Sequence, residues 1–165
     1  MKKVFLMIML AVPLSLFAQK FGHVNIAEIV QSMPEYTKAQ TEIQALQKQY
    51  QDDLQRMQDE LQKKSDEYDK TKATLPDNIK QRREQELQEL YQRIQQSYQD
   101  NQKALQENSQ TKMSLISQKV TDAVKAIGAA GNYIYIMDSG SGIPYISTTL
   151  STDVTTQVKT KLGLK

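Results

Sequence analysis

His23 is the only histidine in this 165-residue chain, and there is no cysteine. With one imidazole no His–His metal pair can form, and no His-based triad is expected. His23 reads instead as a structural strand residue. Carboxylates adjoin at Asp52–Asp53 and Asp66–Glu67. Both pairs sit in polar helical patterns, with no apolar setting to lift a pKa for acid–base work. Ser139 to Gly142 contains a Gly-x-Gly. It lacks the strand–loop–helix setting of a phosphate cradle and reads as a turn. No catalytic residue, metal or cofactor is therefore expected, and the chemistry left to this chain is contact.

Two sets of residues could make contacts. Tyr50, Met57, Tyr68, Tyr91 and Tyr98 are spaced along one polar stretch. Their amphipathic rings and soft thioether suit varied apolar partners. The same spacing also suits filling a helix seam, and both readings stand. The second set is basic. Between Lys63 and Arg83 seven cationic residues stand against four acidic ones, and Lys70, Lys72, Lys80, Arg82 and Arg83 flank Pro76. The whole chain has 21 Lys and Arg against 19 Asp and Glu; without Lys2 and Lys3 the two counts are equal. That leaves no basic surplus of the kind nucleic acid requires.

The residues between these sets show what must position them. Lys2 and Lys3 precede the apolar run Val4 to Phe17, and Ala18 is a cleavage position before Gln19, although Leu16 is large for its place. Residues 1–18 thus read as a secretory signal peptide, too short to span a bilayer. Phe21 to Ile26 reads as a strand. Asn25 with Glu28 has the spacing of a helix cap. Ser32, Pro34 and Glu35 resemble the start of a long helix. Along it Ile43, Leu46, Tyr50, Leu54, Met57 and Leu61 form a thin stripe with an 11-residue repeat, suited to a two-helix seam. Thr74, Pro76 and Asp77 then predict a turn into a second helix. Its stripe holds Ile79, Leu87, Leu90, Tyr91, Ile94 and Tyr98, thins from Asn101 to Lys112, and resumes at Met113, Ile116 and Val120. Gly128 and Gly131 are expected to close it. Asn132 to Asp138 and Ile143 to Ser147 predict a β-hairpin, and Ser151 to Gly163 a short amphipathic helix.

The architecture expected is α+β. A long antiparallel helical hairpin, or coiled-coil arm, covers 34–127 with its tip near 74–78, and at ~1.5 Å per residue the arm is ~60 Å long. A small β body covers 19–33 and 128–165. Val24, Ile26, Ile134, Ile136, Ile143 and Ile146 are the body's apolar positions, and their need for cover predicts self-association.

This order of elements resembles the Skp/OmpH family of periplasmic chaperones. The residues that carry the likeness are "HVNIAEIVQSMPEY" at the start and "NYIYIMDSGSGIPYIS" with "TDVTTQVK" at the end. The resemblance implies a jellyfish-like homotrimer in the periplasm, whose arms enclose a cavity for unfolded outer-membrane proteins without ATP. Members of that family are strongly basic, which suits acidic clients and anionic lipid. This mature chain is neutral, so lipopolysaccharide is a partner by resemblance alone and no lipid site is carried over. A different reading is a structural or adaptor coiled-coil hairpin of the cell envelope. An adaptor tip needs an ordered apolar docking motif, whereas this tip reads as polar and basic. An exported enzyme has no residues to work with.

Overall fold

A computed structural model describes residues 19–164; segment 1–18, expected from its sequence to be a signal peptide, lies outside the described residues. The chain begins with strand β1, Lys20–Val24, followed by helix α1, Ile26–Ser32. Asn25 caps α1 as its spacing predicts, its side chain accepting from the Glu28 amide at 3.0 Å. Two long helices follow: α2, Pro34–Thr71, and α3, Asp77–Gly131. The chain ends with β2 (Tyr133–Asp138), β3 (Ser151–Asp153) and α4 (Thr155–Lys161).

Contacts divide these elements into two compact units. One is the hairpin, Pro34–Ser117. The other joins the N-terminal segment through Met33 to the segment from Gln118 onward.

In the second unit a three-stranded sheet has the order β2-β1-β3. Both pairings are parallel: Phe21 lies opposite Tyr135 and Ser151, and His23 opposite Met137 and Asp153. The predicted β-hairpin does not form. Ile143 and Ile146 lie in an irregular segment, Pro144 interrupts that run, and the partner of β2 is the N-terminal strand. Proline cannot donate to a ladder, and a parallel partner is available because the long helices provide the crossover.

Other local assignments also change. Ile26 opens α1 instead of ending β1. The Ser32 hydroxyl donates back to the Ile29 carbonyl, and the Thr74 hydroxyl to that of Thr71, so each closes the helix before it and does not cap the next. The Pro76 carbonyl accepts from Ile79 and Lys80 and starts α3. Helix α3 runs through Gly128 and Gly131 to Asn132, whose φ of 54° is the left-handed conformation that ends it. Ser151 to Asp153 joins the sheet, so the last helix starts later than predicted, at Thr155.

The inner sheet surface carries Gly22, Val24 and Ile136. Val24 packs away from solvent together with Ile29 of α1 and with Val154 and Val158 at α4, all at most 1% exposed. A Cβ at Gly22 would lie 3.0 Å from Ile136 Cγ1 and 3.2 Å from Tyr133 Cδ1, so glycine is what lets both side chains close over the central strand. Hydrogen bonds lock the layer: the Asn25 amide donates to Thr155 Oγ1 at 3.0 Å, and the Val154 amide to the His23 carbonyl at 2.9 Å. Lys159 of α4 reaches Glu28 of α1 at 2.7 Å.

Candidate functional site

The alternation of β1 sends Phe21 and His23 to the opposite sheet surface, beside Tyr135 and Met137 of β2 and Ser151 of β3. Within the described residues this surface is only partly covered, by the segment that carries Ile143 to Leu150. Tyr135 is 48% exposed, Met137 47%, Tyr145 79% and Leu150 76%. The rings of Phe21 and Tyr135 stack with centroids 4.8 Å apart. A cavity of about 280 Å³ opens there, lined by Phe21, His23, Tyr135, Met137, Ile146 and Leu150 among others. Of the six apolar body positions read from the sequence, Val24 is buried in the inner layer and Ile26 and Ile136 are half-buried. Ile143 and Ile146 line this cavity, and Ile134 is 55% exposed. Sequence reasoning missed Phe21, Tyr135, Met137, Tyr145 and Leu150; the alternation from Tyr133 to Met137 was the signal that could have found the two β2 residues.

His23 has neighbours that sequence spacing could not supply, because they come from β3. Its Nδ1 lies 2.9 Å from Ser151 Oγ, and its Nε2 lies 4.0 Å from Asp153 Oδ2. Serine, histidine and aspartate thus meet on one surface. The arrangement does not activate the serine, since the Asp153 side chain is 62% exposed and does not come within hydrogen-bonding distance of the ring. Asp153 accepts instead from the Thr155 amide at 2.8 Å. Hydrogen bonding from Thr155, with a smaller contribution from His23, holds the Asp153 carboxyl below its ordinary pKa.

A pH dependence follows. A depressed carboxyl contributes stability above its unfolded value, near ~4, and loses it as pH falls through the folded value. Asp153→Ala, which removes the acceptor of the Thr155 amide, is expected to cost roughly 1 kcal/mol at pH 7, as loss of a helix-start acceptor does. The gap between variant and wild type should shrink by pH 3 in urea denaturation; an equal gap at both values would remove the carboxylate from the account.

In the hairpin, two cross-helix contacts set an antiparallel register. Lys112 Nζ meets Glu42 Oε2 at 2.5 Å, and the Tyr68 hydroxyl donates to Glu84 Oε1 at 2.5 Å. The first holds the Glu42 carboxyl below its usual range; the second raises the Tyr68 phenol. Tyr50, Met57 and Tyr68 are half-buried along α2. Tyr91 and Tyr98, predicted on the seam stripe, are instead 55% and 52% exposed, because the buried positions beside them are Leu90 and Ile94. The ring that fills a seam and the ring that meets solvent are thus separated by one helical position.

At the hairpin's turn a cavity of about 470 Å³ is lined by Tyr68, Leu75, Ile79 and Leu87 with Lys64, Lys70 and Arg83 among its polar residues. Apolar lining was not legible there from sequence. The basic residues around it are mostly paired: Lys72 with Asp69 at 2.8 Å, Lys80 with Asp77 at 3.3 Å, and Arg82 and Arg83 with Glu86 at 3.7 and 3.1 Å. The hydrogen bond to Asp69 raises the Lys72 pKa. Exposed pairs of this kind contribute little to stability but cancel field at a distance. No helix among the described residues is long and apolar enough to cross a membrane, and no cluster of metal-ligating side chains is found among them.

Comparison with known proteins agrees with this architecture. No curated protein matches the chain. A crystal structure of a candidate outer membrane chaperone (OmpH-like) from Caulobacter crescentus CB15 superposes with a TM-score of 0.75, covering 87% of this chain and 83% of that one at 16% identity. At that identity the likeness speaks for the fold. The profile of the family described as outer membrane protein (OmpH-like) matches residues 20–162, which takes in both long helices and all three strands, and the chain belongs to that family.

Proposed function

We propose that this chain is an ATP-independent holdase of the periplasm, which assembles as a homotrimer and keeps unfolded outer-membrane proteins from aggregating between its helical arms. The observation that carries the reading is the only partly covered apolar surface of a parallel sheet in a chain of the OmpH-like family. Parallel sheets are nearly always covered on both sides, so Phe21, Tyr135, Met137 and Leu150 call for a partner. The sheet order leaves two unlike edges, β2 and β3, and unlike edges pair head to tail, which gives a ring where the rotation between copies closes. The chaperone named in the Caulobacter relative supports the same reading. Tyr91 and Tyr98 are the sequence-predicted client contacts that stand in solvent; Tyr50, Met57 and Tyr68 reach a client less directly, from the seam.

Diluting an unfolded outer-membrane β-barrel protein from urea with and without the mature chain tests the proposal by light scattering. Suppressed aggregation is expected at about one trimer per client; unchanged scattering at several-fold molar excess removes the holdase reading. The apolar-lined cavity at the turn favours the adaptor reading, and a pull-down that captures an envelope protein through Leu75 and Leu87, with scattering unchanged, would establish it.

The tip charges bear on encounter. Replacing Lys70, Lys72, Lys80, Arg82 and Arg83 with Gln should slow association with an acidic unfolded client at low salt by less than about tenfold, since most of these cations are already paired. Dissociation should be nearly unchanged. Stopped-flow rates that coincide with wild type across a salt series leave the charges a solubility role only.

A further inference from the structure

The seam of the hairpin is not uniform. Its fully buried apolar residues fall at two ends: Ala39 and Ile116 toward one, Leu90 and Ile94 toward the other. Between them the half-buried positions of α3 are Ser97, Asn101, Ala104, Leu105, Asn108 and Ser109, followed by Lys112 and Met113, and from Ser97 to Ser109 Leu105 is the one large apolar side chain in the half-buried set. The register set by Glu42–Lys112 and Tyr68–Glu84 places these small and polar residues opposite Leu46, Tyr50 and Leu54. Both cross-helix contacts lie outside this stretch. Near the end of this stretch on α3, one turn before Lys112, Asn108 Oδ1 is shut off from solvent and has no hydrogen-bond partner; it is the single such side-chain atom among the described residues.

An unpaired carbonyl enclosed by protein is destabilised relative to its hydrated form, and parting the helices hydrates it. Local apolar burial, which opposes parting, is weakest at the same place. We propose that the hairpin carries a joint at its midpoint, where α2 and α3 separate locally around Tyr50 and Asn101–Asn108 while the seam on either side stays closed. The joint is a property of one hairpin and stands apart from the chaperone reading. Opening it uncovers in full Leu46, Tyr50, Leu54 and Leu105, an apolar strip that the closed hairpin leaves half-buried.

Hydrogen exchange followed by mass spectrometry on the full mature chain tests this without any client. Amides of 97–109 are expected to exchange about tenfold or more faster than those of 86–94. Asn108→Leu should slow exchange across 97–109, leave 86–94 unchanged and raise the Tm. Asn101→Leu, two helical turns from the unpaired atom on the same face, should do the same to a smaller degree and serves if the first variant shifts register. Even protection along the wild-type hairpin overturns the joint and leaves Asn108 as a residue that fixes register alone. Leucine variants that fail to slow the central exchange overturn it equally.

Discussion

A chain carrying Tyr135→Glu and Met137→Glu is expected to fold and to sediment as a monomer at micromolar concentration, where the wild type is expected to sediment as a trimer. Both residues lie on the edge strand β2 and are about half exposed, so neither change disturbs the inner layer of Val24, Ile29, Val154 and Val158. In the assembly proposed above they are covered. Each copy would then bring two uncompensated carboxylates into an apolar contact beside Phe21 and Leu150. Like charges and lost hydration there cost several kcal/mol per contact, enough for a fall in affinity of about 10³-fold. Sedimentation equilibrium reads the result directly. A variant that remains trimeric moves the interface elsewhere, and a wild type that is a folded monomer removes self-association from the proposal.

Ile29→Ala is expected to have the largest effect on the fold. Ile29 is 0% exposed and contacts the layer in which Val24, Val154 and Val158 meet. Truncation leaves a cavity in a unit whose core is small, and such changes cost about 2–5 kcal/mol. For a unit this small that lowers the Tm by roughly 8–40 °C. The transition to follow by calorimetry is that of the sheet unit, because the hairpin forms a separate set of contacts and a single two-state fit does not describe both. Tyr98→Ala provides the contrast: a half-exposed ring on a helix surface should change the Tm by no more than surface substitutions do, about 0.5 kcal/mol or less. Similar losses from the two changes would contradict the burial on which both expectations rest.

Local chemistry that depends on short sequence spacing was legible from the residues alone. The Asn25 cap and the turn at Pro76 follow from rules that act within one helical turn, and the thin stripe from Ile43 to Leu61 emerges half-buried as its spacing requires. The sheet was not legible, and the reason is physical. Ile143-Pro144-Tyr145-Ile146 has strand-like composition, yet whether a segment pairs depends on which edge reaches it. The parallel partner of β2 lies at the other end of the chain, and no local rule reports that. The triplet of His23, Ser151 and Asp153 was hidden for the same cause. Tyr91 and Tyr98 show a finer limit: adjacent positions on a helix differ by about 100° in direction, so a stripe of mixed Leu, Ile and Tyr does not by itself reveal which residue faces the partner helix. The basic tip was read as a patch because the counting window stopped at Arg83; Glu86 lies just beyond it and pairs with two of the arginines.

The order of strands has a consequence for how the chain acquires its structure. β1 occupies the middle of the sheet, and both of its neighbours come from the other end of the sequence, after α2 and α3. During synthesis or translocation the first strand to emerge has nothing to pair with until nearly the whole chain has followed. The hairpin can zip from its own turn through contacts close in sequence, and such contacts form fast. It thereby brings the two ends of the chain together, and sheet closure becomes the late step. A chain stopped just before Tyr133 would hold a finished hairpin and an orphaned β-strand with the apolar Phe21 and Val24 unprotected. On the function proposed above, a protein that keeps others from aggregating passes, while it is being made, through a state with the same kind of exposure as its clients.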